Sequence, residues 1–519
     1  MAGSDTWAPS SQLRLAELLA SVSLATDLGT GQPPGHALRT TTIAAALAEA
    51  MGCGPDDVRT VHQFGLLRFL GCTSDSAETA ATAGGDDLAF NAAIAPVFMG
   101  SGRQIVGRFV RSVAPGQPRM RRVRLVARGL VDLNGTQRAM SMHCEVAVML
   151  AGRAGLEQPV VDALAHAYER WDGKGFPAGL EGDAIPLPVR VAVVARDADL
   201  AATLGEDPGE WMSERRGRAY DPAVVDAFER VGPDVLSVLE GGDEWETALA
   251  AEPKPVATVG PDRLDAVLAA FADFADLKSP WIRGHSRRVA SLAEEAGRHA
   301  GLDDAACDGL RRAGLVHDVG RVAVENGIWD KPGPLTTSEW EQVRLHAYYT
   351  ERILDRCRSL APIVEPAWSH HERVDGSGYH RSLPAEALSR GDRILAAADV
   401  FAALTADRPH RAAHGDEDAA RMLEAEAEGR LDAEAVACVL AAAGRRAAPP
   451  PPGWPADLTD REVDVLRLIA RGRSNREVAQ QLFIAPKTVG RHVENLYRKI
   501  GVSSRAAAAV FAMEHRLLD

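Results

Sequence analysis

Residues 315–321 read Leu-Val-His-Asp-Val-Gly-Arg, an apolar string that contains an adjacent histidine and aspartate. A buried carboxylate is costly unless a charged or hydrogen-bonding partner accompanies it. Further candidate partners lie in helical patterns on either side of the string: His285, His346, His370, His371 and Asp399. Imidazoles and carboxylates are the usual ligands of divalent transition metals. The pattern therefore predicts a metal centre inside a helical bundle, and ordinary core histidines are the alternative.

The spacing of these landmarks occurs twice along the chain. In each copy, a histidine that follows a glycine lies 32 residues before a second matched position. A later histidine in each copy lies 26 residues before a glutamate. The landmarks are His36, Arg68, His143 and Glu169 in the first copy, and His285, His317, His346 and Glu372 in the second. We therefore predict two tandem copies of one helical domain, the first with an insertion of about 46 residues between Arg68 and His143.

The first copy has lost most of the candidate ligands and keeps only His36 and His143. The replacements are Arg68 and Phe69 for the His-Asp pair, Ala167 and Tyr168 for the paired histidines, and Arg196 or Asp197 near the last aspartate. We expect this copy to bind no metal and to serve in dimerisation or sensing.

The second copy, residues 263–446, resembles an HD-GYP domain, a helical subgroup of the HD metal-phosphohydrolase superfamily. The strings that carry the resemblance are G-H-S-R-R-V, H-D-V-G-R, H-H-E-R-V-D-G-S-G-Y, A-A-A-D-V-F-A-A-L-T and D-R-P-H-R. The resemblance implies hydrolysis of a cyclic dinucleotide such as c-di-GMP at an iron or manganese centre. It implies metal ligation by His285, His317, Asp318, His346, His370, His371 and Asp399, with Asp318 bridging. It also implies catalytic roles for His317, Asp318 and Arg321, and a substrate loop that contains Gly378 and Tyr379.

Several positions depart from the pattern of the family. Arg321 replaces the usual lysine, His380 replaces the proline of the G-Y-P motif, and Ala402 replaces an aspartate. Some members hold a third metal with a glutamate where this chain has Trp281, so two divalent ions are expected here. The departures favour metal binding over efficient turnover of c-di-GMP.

The last residues contain two helix-capping boxes, Thr459 with Glu462 and Ser474 with Glu477, followed by a basic helix that starts at Pro486. Residues 457–519 resemble a LuxR-type helix-turn-helix, which implies double-stranded DNA as a partner. Lys487, Thr488, Arg491 and His492 are expected to face the groove, and Arg498, Lys499, Ser504 and Arg505 to contact phosphates. A basic hairpin that binds another protein is the alternative.

The predicted fold class is all-α: two tandem helical HD-type domains and a small LuxR-type domain. We expect a degenerate copy at 1–248, a linker at 249–262, the full copy at 263–446, a Pro-rich linker at 447–456 and the DNA-binding domain at 457–519. The stretch Arg122–Leu133 is the one segment with a strand-like pattern.

Charge is distributed unevenly. The net charge is −14, yet residues 457–519 contain eleven Lys and Arg against eight Asp and Glu, so only this segment has the sign that DNA attracts. The six cysteines form no C-x-x-C pair, and no apolar run is long enough to span a membrane. We expect a cytoplasmic protein without a membrane partner, and a homodimer because LuxR-type domains act on paired half-sites.

Three functions fit these observations. The first is a transcription regulator whose HD-GYP region senses or hydrolyses a nucleotide second messenger. The second is an active cyclic-dinucleotide phosphodiesterase in which the DNA-binding tail is secondary. The third is a protein-interaction regulator whose metal is structural.

Overall fold

The computed structural model describes residues 13–131, 135–427, 429–444 and 453–518. Helices dominate these ranges, and their two strands are very short: β1 (Leu13–Arg14) pairs antiparallel with β2 (Thr258–Val259). The all-α prediction is confirmed. The chain forms two compact units, one that ends at Arg263 and includes Glu325–Gly327, and one that contains residues 264–324 and 328–518.

Thirteen helices of the described residues belong to the first unit. They are α1 (Leu15–Gly29), α2 (His36–Ala50), α3 (Pro55–Leu67), α4 (Ser76–Ala83), α5 (Asp87–Ile94), α6 (Gly102–Ser112), α7 (Arg119–Val131), α8 (Gly135–Arg153), α9 (Gln158–Leu164), α10 (Leu187–Thr203), α11 (Pro208–Arg215), α12 (Pro222–Gly241) and α13 (Glu244–Ala250). The core gathers apolar side chains from α2, α3, α10 and α12, including Ile43, Val61, Val194 and Phe228.

The strand indicated by the pattern at Arg122–Leu133 is not formed, because the described part of this segment lies in helix α7. Arginine, leucine and methionine are good helix formers, and no strand lies alongside to pair with this segment in the described part of the chain. The Arg122 side chain instead donates hydrogen bonds to the carbonyl oxygens of Val110 and Val113. Residues 132 and 133 lie outside the described residues.

The remaining helices form the second copy and the C-terminal domain. The second copy contains α14 (Pro261–Asp276), α15 (His285–His299), α16 (Asp304–Val316), α17 (Asn326–Trp329), α18 (Thr337–Leu354), α19 (Ala361–Ser369), α20 (Arg390–Leu404), α21 (Asp416–Glu426) and α22 (Ala433–Gly444). The C-terminal domain contains α23 (Asp460–Ala470), α24 (Asn475–Gln481), α25 (Pro486–Ile500) and α26 (Arg505–Glu514). Most of the predicted Pro-rich linker falls outside the described residues.

The two copies share local structure as well as spacing. Helices α2 and α15 each begin with histidine after a glycine of positive φ, 86° at Gly35 and 81° at Gly284. Helices α3 and α16 each contain 13 residues and end just before Arg68 and His317. A buried aspartate accepts a hydrogen bond from the backbone of α2 and of α15: Asp27 from Ala37 N at 3.1 Å and Asp276 from Ser286 N at 3.0 Å.

The helix starts predicted in the C-terminal domain are present. Thr459 with Glu462 and Ser474 with Glu477 form complete capping boxes, and Pro486 is the first residue of α25. The same helix ends at Gly501, whose φ of 70° is the left-handed conformation that glycine adopts readily. These caps orient three short helices, which are too short to be stable alone, as a single helix-turn-helix.

Candidate metal centre and DNA-binding domain

Five separate helices bring the candidate ligands of the second copy together. His285 is the first residue of α15, His317 and Asp318 directly follow α16, and the other ligands come from α18, α20 and the end of α19. His317, Asp318 and His346 are at most 1 % exposed. All seven side chains predicted as ligands therefore meet in the interior of one bundle.

The ligands fall into two groups of three. Each group has its ligand atoms within 4.8 Å of one another: His285, His317 and Asp399 in one, and His346, His370 and His371 in the other. In the first group, His285 Nε2 lies 3.0 Å from Asp399 Oδ1. In the second, the Nε2 atoms of His346 and His370 are 3.3 Å apart.

Asp318 lies between the two groups and presents one carboxylate oxygen to each. Its Oδ2 is 3.5 Å from His317 Nε2 and 3.8 Å from His285 Nε2. Its Oδ1 is 3.5 Å from His346 Nε2 and 3.6 Å from His370 Nε2. This is the arrangement of a carboxylate that bridges two metal ions.

Backbone carbonyl groups orient three of the histidines. The Nδ1 atoms of His317, His346 and His370 each lie at hydrogen-bonding distance from the carbonyl oxygen three residues earlier, on Gly314, Val343 and Ala367. In the neutral form of each imidazole, with the proton on Nδ1, the lone pair on Nε2 would point into the centre. His317 Nε2 and Asp318 Oδ1 are buried and have no hydrogen-bond partner in the described structure. These donors fit two divalent transition-metal ions.

The electrostatics keep the carboxylates ionised. Burial by itself would raise the pKa of Asp318, but the charges of Arg321 and His317 hold it well below its ordinary value. Burial likewise opposes the ionisation of Asp399, and the hydrogen bond with His285 and the neighbouring histidines hold its pKa well below the usual range. Burial lowers the pKa of His285 to about 4, so its imidazole is neutral and available as a ligand at neutral pH.

The tight turn after Asp318 depends on Gly320. A Cβ atom at this position would lie 2.1 Å from the carbonyl oxygen of His346 and 2.4 Å from Thr350 N. The glycine therefore lets the His-Asp turn approach α18 closely enough for Thr350 to receive a 3.0 Å hydrogen bond from Gly320 N and to donate one to the His317 carbonyl at 2.9 Å.

The predicted substrate loop lies against the second ligand group. The Tyr379 ring stacks on His371 with centroids 4.6 Å apart, and Gly378 packs so closely on the backbone of Glu372 that a Cβ would be 2.4 Å from its Cα. His380, which replaces the family's proline, lies 3.1 Å from Glu351 Oε2 and contacts the Trp368 ring. The contacts of His380 with Glu351 and Trp368 therefore hold this loop in place.

Arg408 is a site residue that the sequence reasoning did not single out, although it belongs to the quoted D-R-P-H-R string. It lies within electrostatic range of Asp399, Asp318 and Arg321, and burial lowers its pKa to about 10. Asp276 was also missed; its carboxylate accepts from the backbone and hydroxyl of Ser286 and so fixes the start of the helix that carries His285.

In the DNA-binding domain, the predicted groove face is open. Lys487, Thr488 and Arg491 are exposed and His492 is half-buried, while Val489 and Leu496 on the opposite face are fully buried. Among the predicted phosphate contacts, Arg498 is exposed.

All four predicted phosphate contacts have partners within the domain, and that of Arg498 is Asn495 Oδ1 at 3.0 Å on the same helix. Lys499 Nζ lies 2.7 Å from Glu462 Oε2 and 2.8 Å from the carbonyl of Asp457. Arg505 donates to the carbonyl of Arg473, and Ser504 caps α26 through Ala507 N. These side chains hold the helices together, a role that a linear charge pattern does not reveal.

The DNA-binding domain contacts the second copy beside the metal centre. Arg283, two residues before His285, donates a 2.8 Å hydrogen bond to the carbonyl of Ala470 at the end of α23. Arg473 lies over the Trp281 ring and 3.6 Å from Asp407 Oδ2. A cavity of about 130 Å³ between these elements reaches His285 and Arg288.

Comparison with known proteins agrees with this architecture. The HD domain family matches residues 132–224 and 269–435, and the family of bacterial regulatory proteins of the luxR type matches residues 456–512. The chain belongs to the HD domain family, as a tandem HD-GYP protein with a degenerate first copy and a C-terminal LuxR-type domain.

Among curated proteins, the chain is 31% identical to the 3′3′-cGAMP-specific phosphodiesterase 3 of Vibrio cholerae, over 82% of this chain and 94% of the relative. It is 37% identical to the cyclic di-GMP phosphodiesterase PA4108 of Pseudomonas aeruginosa, over 31% of this chain and 39% of that protein. A crystal structure of a cyclic GMP-AMP-specific phosphodiesterase of V. cholerae superposes with a TM-score of 0.59 at 28% identity, covering 84% of this chain and 99% of that one.

The search for membrane-spanning segments covers only the described residues. Within them, every helix is too short or too polar to cross a bilayer.

Proposed function

We propose that the second copy is a metal-dependent phosphodiesterase that opens a cyclic dinucleotide to its linear form. The observation that carries this proposal is Asp318, whose two carboxylate oxygens each face a separate group of ligands. A metal ion that only stabilises the fold needs a single group of ligands, whereas this site has two groups that share a carboxylate. The relatives that act on 3′3′-cGAMP and on cyclic di-GMP support this substrate class.

The residues of this chain divide the chemistry between them. His285, His317 and Asp399 would hold one divalent ion, His346, His370 and His371 the other, and Asp318 both. Such a pair activates water and neutralises charge on a phosphoryl oxygen. Arg321 and Arg408 add positive charge beside Asp318, which favours an anionic phosphodiester over a neutral ester. We infer iron or manganese as the metal from the family resemblance.

The test uses the purified full chain loaded with Fe²⁺ or Mn²⁺. Incubation with 3′3′-cGAMP and, separately, with c-di-GMP should give linear dinucleotides, with 3′3′-cGAMP the faster substrate because the relative of 94% coverage acts on it. Asp318→Asn should lower the rate by at least about a thousandfold because the bridge is lost. Asp308→Asn, at a half-exposed position on α16, is the matched control. Equal rates in both variants would refute the proposal.

We further propose that the chain acts on transcription through its LuxR-type domain. The open groove face at Lys487, Thr488 and Arg491 and the match to the luxR family support double-stranded DNA as a partner. A cytoplasmic location and a homodimer that presents two recognition helices go with this proposal. Specific binding of the full chain to promoter DNA of its own genome, measured against random DNA, tests it. Equal affinity for both would exclude a sequence-specific regulator.

A further inference from the structure

The first copy places two arginines where the second copy has metal ligands. Arg68 follows α3 as His317 follows the equivalent α16. Arg190 and Arg393 make equivalent ion pairs, each at 2.9 Å, with Asp221 and Asp432. Six residues beyond these arginines are Arg196 and Asp399, so Arg196 takes the position of the last metal ligand.

Arg68 is buried without the partners that a buried guanidinium needs. It is only 6% exposed, and neither its Nε nor its Nη1 atom has a hydrogen-bond partner in the described part of the chain. Burial and, after it, the charge of Arg196 lower its pKa to about 10, against the opposing charge of Asp197. A buried guanidinium group that lacks hydrogen bonds and is repelled by a second arginine would be stabilised by an anion.

Tyr168 and Cys72 lie within electrostatic range of Arg68, and both contact a third cation, His143. His143 Nε2 is 2.9 Å from Asp75 Oδ1; burial opposes its protonation, but Asp75 raises the pKa of His143 well above the ordinary value. The Tyr168 hydroxyl is 3.1 Å from His143 Nδ1 and 3.3 Å from Cys72 Sγ. His143, Tyr168 and Cys72 are half-buried, so this side of the cluster is open to solvent, unlike Arg68 itself.

We infer that Arg68, Arg196 and His143 form a metal-free site in the first copy that binds a phosphate group, as found in a nucleotide or as free phosphate. Guanidinium groups supply the positive charge that metal ions supply in the second copy, and the two forks match phosphate oxygens. Without metal ligands the site has no means to activate water. It therefore retains its ligand unchanged.

The carboxylates near the site are each shared among several cations. Asp197 lies 2.9 Å from Arg196 Nη1, but its other oxygen is 2.6 Å from Arg215 Nη1 and accepts from the Tyr220 hydroxyl. Asp199 is engaged by His36 at 2.6 Å and by Arg39 at 2.8 Å. Asp197 acts on Arg68 electrostatically but leaves the Nε and Nη1 atoms of Arg68 without a hydrogen bond, so these atoms can receive an external anion.

The inference concerns the first copy and is independent of hydrolysis in the second. The experiment measures melting of the full chain with and without saturating inorganic phosphate, against chloride at equal ionic strength, and calorimetric binding of 3′3′-cGAMP to the Asp318→Asn protein. Phosphate should raise the melting temperature. Arg68→Met should abolish that shift and weaken one class of binding sites by about tenfold or more, since each charged hydrogen bond is lost. Arg68→Lys should weaken binding less.

The control is Arg190→Met, which removes an arginine of the same copy that has carboxylate partners. This variant should melt lower than the parent and keep the phosphate-induced shift. Arg68→Met should melt no lower than the parent, because it removes an unpaired charge. If Arg68→Met loses only the phosphate-induced shift in melting temperature, the site binds free phosphate. If it also loses one class of 3′3′-cGAMP sites in calorimetry, the site binds the phosphate of a nucleotide. A shift retained in Arg68→Met, or no shift in the parent, would overturn the inference.

Discussion

Arg321 Nη1 lies 2.8 Å from Asp318 Oδ2, and its guanidinium group covers the Trp329 ring at 3.8 Å. The arginine therefore contacts Asp318 at the carboxylate oxygen that faces His285 and His317. The family's lysine at this position would supply charge without the planar face that stacks on tryptophan. The Arg-Trp pair is thus a local replacement that keeps a cation next to the bridge.

Replacing Arg321 by methionine should slow dinucleotide hydrolysis by about 10–100-fold, the usual cost of losing a group that supports a metal ligand. The loss arises because Asp318 is then held by the metals alone and a positive charge beside the phosphate is removed. Steady-state rates at saturating metal provide the measurement. Arg298→Met, on the exposed face of α15, should leave the rate unchanged. A rate in Arg321→Met equal to that of the control would contradict this role.

The metal content of the chain should depend on His346 of the second copy and not on His143, the corresponding residue of the first copy. His346→Ala should lose at least one of two expected ions, because it removes a ligand of the second group. His143→Ala changes the corresponding position of the first copy and should leave the metal content at the parent value. Inductively coupled plasma mass spectrometry on the full chain measures both. Equal loss in the two variants would show that the first copy also binds metal.

Gly320→Ala should destabilise the second copy by about 1–3 kcal/mol or more, because a Cβ would collide with the backbone of α18. The shifted turn should also displace His317 and Asp318 and so reduce metal affinity. Chemical denaturation of the metal-free chain separates the two effects. Gly333→Ala, where nothing lies within 4 Å of an added Cβ, is the control and should unfold like the parent.

On the DNA-binding domain, two exposed arginines of α25 should behave differently. Arg491→Ala should cost roughly 1–3 kcal/mol and relax sequence preference if this side chain reads a base edge. Arg498→Ala should weaken binding evenly on all sequences and reduce the salt dependence by about one unit. Anisotropy titrations at several salt concentrations distinguish these effects. If both variants bind specific and random DNA like the parent, α25 is not the recognition helix.

Lys499→Ala should act on folding more than on DNA, because Lys499 pairs with the capping-box residue Glu462. The half-exposed pair contributes about 1 kcal/mol or less, so a small drop in melting temperature is expected. DNA affinity at a temperature well below melting should change less than in Arg498→Ala. A larger loss of affinity in Lys499→Ala would mean that this ion pair opens when DNA binds.

The contact at Arg283 should restrain the DNA-binding domain on the second copy. Arg283→Ala removes the hydrogen bond to Ala470, so amide exchange at the end of α23 should accelerate. Hydrogen exchange by mass spectrometry provides the measurement, with Arg298→Ala as the control. Identical exchange in both variants would show that the contact contributes no restraint.

The sequence by itself determined the helical class, the tandem copies, the seven candidate ligands and the capped helices of the C-terminal domain. These features depend on local preferences and on spacing, which a linear pattern records directly. Tertiary structure decided the rest. The matched ion pairs of Arg190 with Asp221 and of Arg393 with Asp432 set the alignment in which Arg196, rather than Asp197, corresponds to Asp399. Packing also decides that the Nε and Nη1 atoms of Arg68 have no hydrogen-bond partner, whereas Lys499 and Arg505 have partners within their domain. Such contacts join residues distant in the chain, and their distances and burial do not exist until the chain has folded.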